Sequence, residues 1–259
     1  SSSYSTEFIY PLENLQFELG LRRTLNQKFD NQNTHRFGIS YKKKNKKIFF
    51  NHSTAFKNPT FTERFGYYAG TFKGNPNLKP ENVMQYEVGY AVNTILKKFD
   101  ISQTFYSAKL KNETNGSASH PEGGYTAKNM GSNSYRKGLE TKINYNINRY
   151  SDASISYDYV DSTQYNSSTG DQQAEVRRPR NLLNINYNNN YFNNLSINSN
   201  LFYSSKVKDT DFNTYQNVYM NSYFLFNTTL NYDVDSKNKL SVIFKNIFNR
   251  EYEVVSGFN

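Results

Sequence analysis

The feature that most constrains this chain is a two-residue alternation of apolar and polar side chains that recurs from one end to the other. Leu15, Phe17, Leu19 and Leu21 alternate with Gln16, Glu18, Gly20 and Arg22. Met84, Tyr86, Val88 and Tyr90 alternate with Gln85, Glu87 and Gly89. Leu139, Thr141, Ile143, Tyr145 and Ile147 oppose Glu140, Lys142, Asn144 and Asn146, and Ile155, Tyr157 and Tyr159 oppose Ser156 and Asp158. Phe224, Phe226, Thr228, Leu230 and Tyr232 oppose Leu225, Asn227, Thr229 and Asn231. Successive side chains of a strand point to opposite faces, so each run reads as a strand with one apolar and one polar face. The runs give about twelve strands, close to the 9–11 residues of a strand that crosses a bilayer. No stretch carries a 3.6-residue period, and the chain is all-β by this criterion.

Composition says what lies against the two faces. Aromatics make up 17% of the 259 residues, with 23 Tyr and 20 Phe, yet hydrophobic residues total only 36% and the mean hydropathy is -0.85. A soluble core of this length would draw on more Leu, Val and Ala, and a disordered chain would have few aromatics. Lipid on one face and water on the other fits both figures. No apolar run approaches the roughly 20 residues of a membrane helix, so any membrane reading is a β reading. Ser1-Ser2-Ser3-Tyr4 is not a signal peptide, so the chain is expected to start after processing or inside a longer protein. The absence of Cys excludes disulfides and thiolate metal sites. The net charge of +9 is scattered, apart from Lys42-Lys43-Lys44 with Lys46-Lys47 and Arg177-Arg178-Pro179-Arg180. That suits a hydrated lumen and membrane-surface turns better than nucleic acid.

Connections alternate in length. Short ones fall at Leu12-Glu13-Asn14, Lys44-Asn45-Lys46, Leu96-Lys97-Lys98, Asn148 to Ser151, Asn188-Asn189-Asn190 and Ser236-Lys237-Asn238. Longer polar ones run from Gln27 to Asn33, Phe61 to Pro80, Asn112 to Tyr125, Gln164 to Val176 and Lys208 to Tyr219. Tight turns at one end and long loops at the other are the pattern of an antiparallel membrane barrel. Tyr10, Tyr90, Phe99, Tyr150, Tyr191, Phe192 and Tyr232 gather beside the short turns, as an interfacial girdle would.

Several stretches resemble one family. Ser53-Thr54-Ala55-Phe56-Lys57-Asn58-Pro59 is followed by Gly74-Asn75-Pro76-Asn77-Leu78-Lys79-Pro80-Glu81 and then by Tyr86-Glu87-Val88-Gly89. This resembles the mid-barrel signature of TonB-dependent receptors. Gly138-Leu139-Glu140 resembles that family's Gly-x-Glu strand, and Asn246, Phe248 and Tyr252 lie in a stretch similar to the close of its penultimate strand. The Pro and Asn residues of the central motif make a rigid return into the next strand, so its role reads as structural. The resemblance implies the later part of a barrel of about 22 strands. The plug domain, the early strands and the final strand would be absent, and residues 1–259 would form an open sheet. It also implies a location in the outer membrane of a Gram-negative bacterium, among lipid and lipopolysaccharide. The expected function is uptake of a scarce nutrient, either a ferric siderophore, haem or cobalamin. The energy would come from the TonB–ExbB–ExbD complex, acting through the missing N-terminal region. A self-contained small barrel, acting as a pore or an enzyme, is the alternative.

No catalytic or cofactor motif is present, so neither an enzyme nor a cofactor is expected. His35, His52 and His120 are far apart in sequence and carry no metal-ligand spacing. Ligand would first meet the long loops. The candidates are Arg64, Tyr67, Tyr68 and Phe72 in one loop, His120 and Tyr125 in the next, Arg177, Arg178 and Arg180 beside a third, and Tyr215 and Tyr219 in the last. Aromatics would stack on a planar ligand, and Arg would pair with its carboxylates or phosphates. The same residues could instead fold the loops or hold lipopolysaccharide phosphates. The apolar set Ile143, Tyr145, Ile155, Phe226 and Leu230 is expected to face lipid, and Asn144, Asn146, Ser156, Asn227 and Asn231 the lumen.

Overall fold

The structure, a computed structural model, describes residues 1–67, 71–95, 98–166, 170–192, 194–211, 214 and 216–257, excluding the side chains of residues 115–117, 191 and 192. The first strands are β1 (Ser2–Leu12), β2 (Leu15–Leu25), β3 (Gln32–Lys43) and β4 (Lys46–Lys57). A one-turn helix α1 (Phe61–Phe65) and the two-residue β5 (Phe72–Lys73) precede β6 (Glu81–Ile95) and β7 (Phe99–Lys111). Then come β8 (Thr114–Ser119), β9 (Tyr125–Asn129), β10 (Ser134–Asn148), β11 (Ser151–Tyr165) and β12 (Gln172–Ala174). The last six are β13 (Asn181–Phe192), β14 (Leu195–Ser204), β15 (Val207–Thr210), β16 (Asn217–Met220), β17 (Tyr223–Asp233) and β18 (Lys239–Phe244).

Twelve of these strands form one antiparallel meander in the order β1-β2-β3-β4-β6-β7-β10-β11-β13-β14-β17-β18, with β12 added on β11. Strands β1 and β18 stand at the two edges, unpaired with one another and exposed along their length. The sheet is therefore open, as the sequence implied.

Register carries the alternation across the whole sheet. One row joins Phe17, Ile39, Phe50, Val88, Phe105, Leu139 and Tyr159. A second joins Val92, Ile101, Ile143, Ile155, Ile185, Leu201 and Phe226. On the opposite face the rows read Glu18, Gly38, Asn51, Glu87, Tyr106 and Gly138, and Asn144, Ser154, Asn186, Asn200 and Asn227. A one-residue slip in any strand would mix the two faces, which is why the register is so regular.

Side chains on the polar face bond to one another. Asn200 Nδ2 donates to Asn184 Oδ1 at 2.6 Å and Asn186 Oδ1 at 2.9 Å, and Glu87 accepts from Gln85 at 2.6 Å and Asn51 at 3.2 Å. A Cβ on Gly138 would collide with the Tyr159 carbonyl and the Tyr106 ring, so this glycine makes room for a ring lying across it. Few apolar side chains are buried among the described residues, and they include Leu78, Leu110 and Ala127. The large ones, Val88, Phe105 and Phe224 among them, are instead exposed on one face, which calls for a nonaqueous neighbour.

Three expectations are corrected. The turn expected at Asn188-Asn189-Asn190 lies further on, because β13 runs to Phe192. Asn188 bonds Asp152 and Asn189 bonds Ser151 across the ladder, and these contacts keep the Asn run in the sheet. The loop after β4 contains helix α1, whose Thr60-x-x-Glu63 capping box was a legible signal. The last strand was expected to reach Tyr252 but stops at Phe244. Asn246 and Asn249 take left-handed φ values of 48° and 47°, and Asn246 bonds both N–H and C=O of Arg250 at 2.9 Å. This closed turn replaces the ladder. It seats Phe248 on Phe224 and Phe226, each at 5.8 Å, and Tyr252 on Tyr223 at 4.6 Å.

Candidate functional site

The candidate site is the rim of long loops at one end of the sheet. Thr60 caps α1 by accepting from Glu63 N–H, and Gly66, at φ 75°, ends it. The helix aims Arg64 so that its guanidinium donates to Pro76 O at 3.1 Å and lies 4.6 Å over the Phe29 ring and 5.2 Å over Phe65. Phe61, 78% exposed, lies against Phe65 with ring centroids 4.6 Å apart and the rings tilted by 46°, and Tyr67 lies 5.9 Å from Phe72. Gly74 passes against the backbone of Arg64 so closely that no Cβ fits.

The motif after Gly74 braces this loop against the next one. Asn75 N–H donates to Glu63 O and its side chain to Ala127 O, both at 2.9 Å. Lys79 and Asn129 exchange two bonds, at 2.8 and 2.9 Å, and Leu78 is buried. Strand β5 pairs in parallel with β9, Phe72 opposite Tyr125, while Lys73 bridges Glu122 at 3.0 Å. His120 Nδ1 accepts from Glu122 N–H in the turn beside it. The structure thus brings Arg64, Tyr67, Phe72, His120 and Tyr125 into one body; Tyr68 lies outside the described residues. Pro59, Pro76 and Pro80 shape the entries and exits, and Glu81 accepts from Thr114 N–H at 3.0 Å.

The arginine-rich group sits elsewhere on the rim, and each arginine has a carboxylate. Arg177 pairs with Asp209 at 2.8 Å, Arg178 with Glu175 at 2.9 Å and Arg180 with Asp161 at 3.0 Å. Arg136 joins Glu175 at 2.7 Å to Glu113 at 3.1 Å, and Glu113 also takes a short bond from Ser134. Burial would raise the Glu175 carboxyl, but hydrogen bonds from Arg136 and Arg178 outweigh it and hold it below its usual value. Asp209 is fully buried; burial is again outweighed, here by the N–H groups of Ser256 and Thr210 and by Arg177, so its carboxyl is also lowered. Sequence reasoning missed Glu113, Arg136, Glu175 and Asp209, because the ion pairs Arg136–Glu113, Arg136–Glu175 and Arg177–Asp209 join residues 23 to 39 apart; only Arg178–Glu175 is local.

Tyr219 is exposed beneath the Lys206 ammonium, 4.7 Å from its ring, and Tyr215 lies outside the described residues. A groove of about 920 Å³ runs between residues 218–223 and 250–256. Among the described residues there is no group of three or more potential metal ligands.

An open antiparallel meander with one aromatic face, one hydrogen-bonded polar face, tight turns at one end and braced loops at the other is a segment of a membrane-spanning β-barrel. Residues 1–249 match the family model described as "TonB dependent receptor-like, beta-barrel". The chain belongs to the TonB-dependent receptor family, whose members are outer-membrane proteins of Gram-negative bacteria. It is 26% identical over 257 residues to the vitamin B12 transporter BtuB of Photobacterium profundum, covering 97% of this chain and 39% of that protein. The Vibrio cholerae BtuB is 24% identical, covering 93% and 37%. The chain thus spans about two fifths of the length of the curated relatives it matches. Among solved structures, a mutant ferric enterobactin receptor from Pseudomonas aeruginosa in complex with enterobactin superposes with a TM-score of 0.76 at 18% identity, over 96% of this chain and 40% of that one. The copper transporter OprC superposes with a TM-score of 0.77 at 15% identity, over 99% and 45%. These likenesses show the fold.

Proposed function

We propose that this chain is the later part of the barrel of a nutrient receptor, which binds its ligand at the rim and passes it inward without transforming it. The plug and the early and final strands would come from the rest of the protein, which would also contact the TonB–ExbB–ExbD complex. Cobalamin is the leading ligand, ahead of a ferric siderophore or haem. The observation that carries this choice is the pairing of Arg177, Arg178 and Arg180 with carboxylates. A strongly anionic ferric chelate needs cations not already matched by acids of the rim. An aromatic rim built on Phe61, Phe65, Tyr67 and Phe72 instead suits a large ligand with an extended apolar surface. The names of the curated relatives support the same ligand. Two unpaired edge strands favour this reading over a self-contained pore.

The test is equilibrium binding to the full-length protein in detergent, with cyanocobalamin, a ferric catecholate and haem titrated separately. Saturable binding of cyanocobalamin alone is expected, weakened at least several-fold by Phe72→Ala. Saturable binding of the catecholate or haem, with none of cobalamin, would overturn the choice of ligand.

A further inference from the structure

We propose a two-histidine site for a divalent transition metal, Cu2+ or Zn2+, on the apolar-side face of the sheet between β3 and β4. His35 and His52 are 17 residues apart, but strand pairing makes them diagonal neighbours. His52 stands opposite Phe37 and Tyr86, and His35 opposite Leu21, so both rings rise from one face. Diagonal positions of adjacent strands are within reach of side chains of this length. Their Nε2 atoms face each other at 3.1 Å, and the rings are tilted by 50° with centroids 5.1 Å apart.

Each ring is held from behind. His52 Nδ1 lies 3.2 Å from the Gln85 carbonyl oxygen. A carbonyl only accepts, so this nitrogen carries the proton and Nε2 presents its lone pair. A backbone carbonyl on the far nitrogen is the usual orienting partner of a metal-bound histidine. Tyr86 stacks under the same ring at 4.5 Å and 26°. His35 Nδ1 faces Thr54 Oγ1 at 3.5 Å, and that hydroxyl accepts from the His35 backbone N–H at 2.9 Å. Thr54 thereby fixes both the backbone and the ring of His35.

The spacing of the two nitrogens fits chelation. Metal–nitrogen bonds of about 2.05 Å spanning 3.1 Å subtend about 100° at the metal, between the square-planar and tetrahedral angles. Cu2+ and Zn2+ accept imidazole in those geometries, and Cu2+ binds such ligands more tightly. The protein supplies two ligands and water the rest, so the site exchanges its metal. His35 is exposed and lies only three residues into β3, at the loop end of the sheet where the strands leave the bilayer, and this position gives the ion and its water ligands access. Only neutral imidazole coordinates, so protons compete and binding weakens at acid pH. Without metal, the same pair forms a His35-to-His52 hydrogen bond.

The test is titration of Cu2+ into the metal-stripped full-length protein in detergent, followed by electron paramagnetic resonance. The wild type is expected to bind one more equivalent than either His35→Gln or His52→Gln, with a spectrum showing two nitrogen ligands. Heat-modifiable migration on gels reports whether each variant is folded. His35→Gln alters an exposed side chain and carries the test alone if His52→Gln fails to fold. Equal stoichiometry and identical spectra in wild type and folded His35→Gln would overturn the proposal, leaving the pair as a hydrogen bond only.

Discussion

At the scale of residues, what matters is which face a side chain occupies. Phe226 shares a row with Ile143 and Ile155, whereas Asn144 belongs to the row of Asn186 and Asn200 on the other face. Arg in place of a lipid-facing residue near mid-bilayer costs about 2–4 kcal/mol, and much less towards the lumen. Phe226→Arg is therefore expected to lose that amount in a folding titration into lipid vesicles, and Asn144→Arg only a small fraction of it. Equal losses would reverse the face assignment. Asn227, the inward residue next to Phe226, is a poorer control than Asn144, because its Oδ1 accepts from Asn246 N–H at 2.9 Å. That bond was not legible in the sequence, since a period-two pattern assigns a face and not a partner. The same limit hid the pairing of His35 with His52.

At the scale of elements, the braced loops depend on a few carboxylates. Asp209 and Glu175 are both held below their usual values. A lowered carboxyl stabilises the fold fully above its unfolded value, which is about 4, and this contribution is lost as pH falls through the lower folded value. Hydrogen exchange in the loops after β11 and β14 should therefore be unchanged between neutral pH and about pH 5, after correction for the intrinsic rate. It should accelerate below the unfolded carboxyl value, and Asp209→Asn should remove much of that acid dependence. Invariant protection down to strongly acid pH would show that the ion pairs do not hold the loops. Strands were readable element by element because alternation, turn residues and interfacial aromatics agreed. The exceptions were local competitions. An Asn run could either turn or ladder, and the Asn246–Arg250 turn ended a strand whose apolar pattern continued.

At the scale of the whole molecule, the central claim is that these twelve strands are an arc of a wider barrel. The family match spans residues 1–249, and the sheet leaves β1 and β18 unpaired with one another. In a barrel of about 22 strands the two edges are separated by all the strands contributed from elsewhere. Phe8 and Phe244 lie on the same apolar face of these two edges. Residues 1–259 contain no Cys, so a cysteine pair introduced here by Phe8→Cys and Phe244→Cys adds no competing thiol within this segment. Two such residues crosslink only when their Cα atoms come within about 7 Å. The most direct measurement is oxidative disulfide formation between these positions in the full-length protein, folded in the outer membrane. No crosslink is predicted, with a Phe8→Cys, Leu19→Cys pair across β1 and β2 as the positive control. Efficient crosslinking of Phe8→Cys to Phe244→Cys would contradict the arc and show that the twelve strands close on themselves.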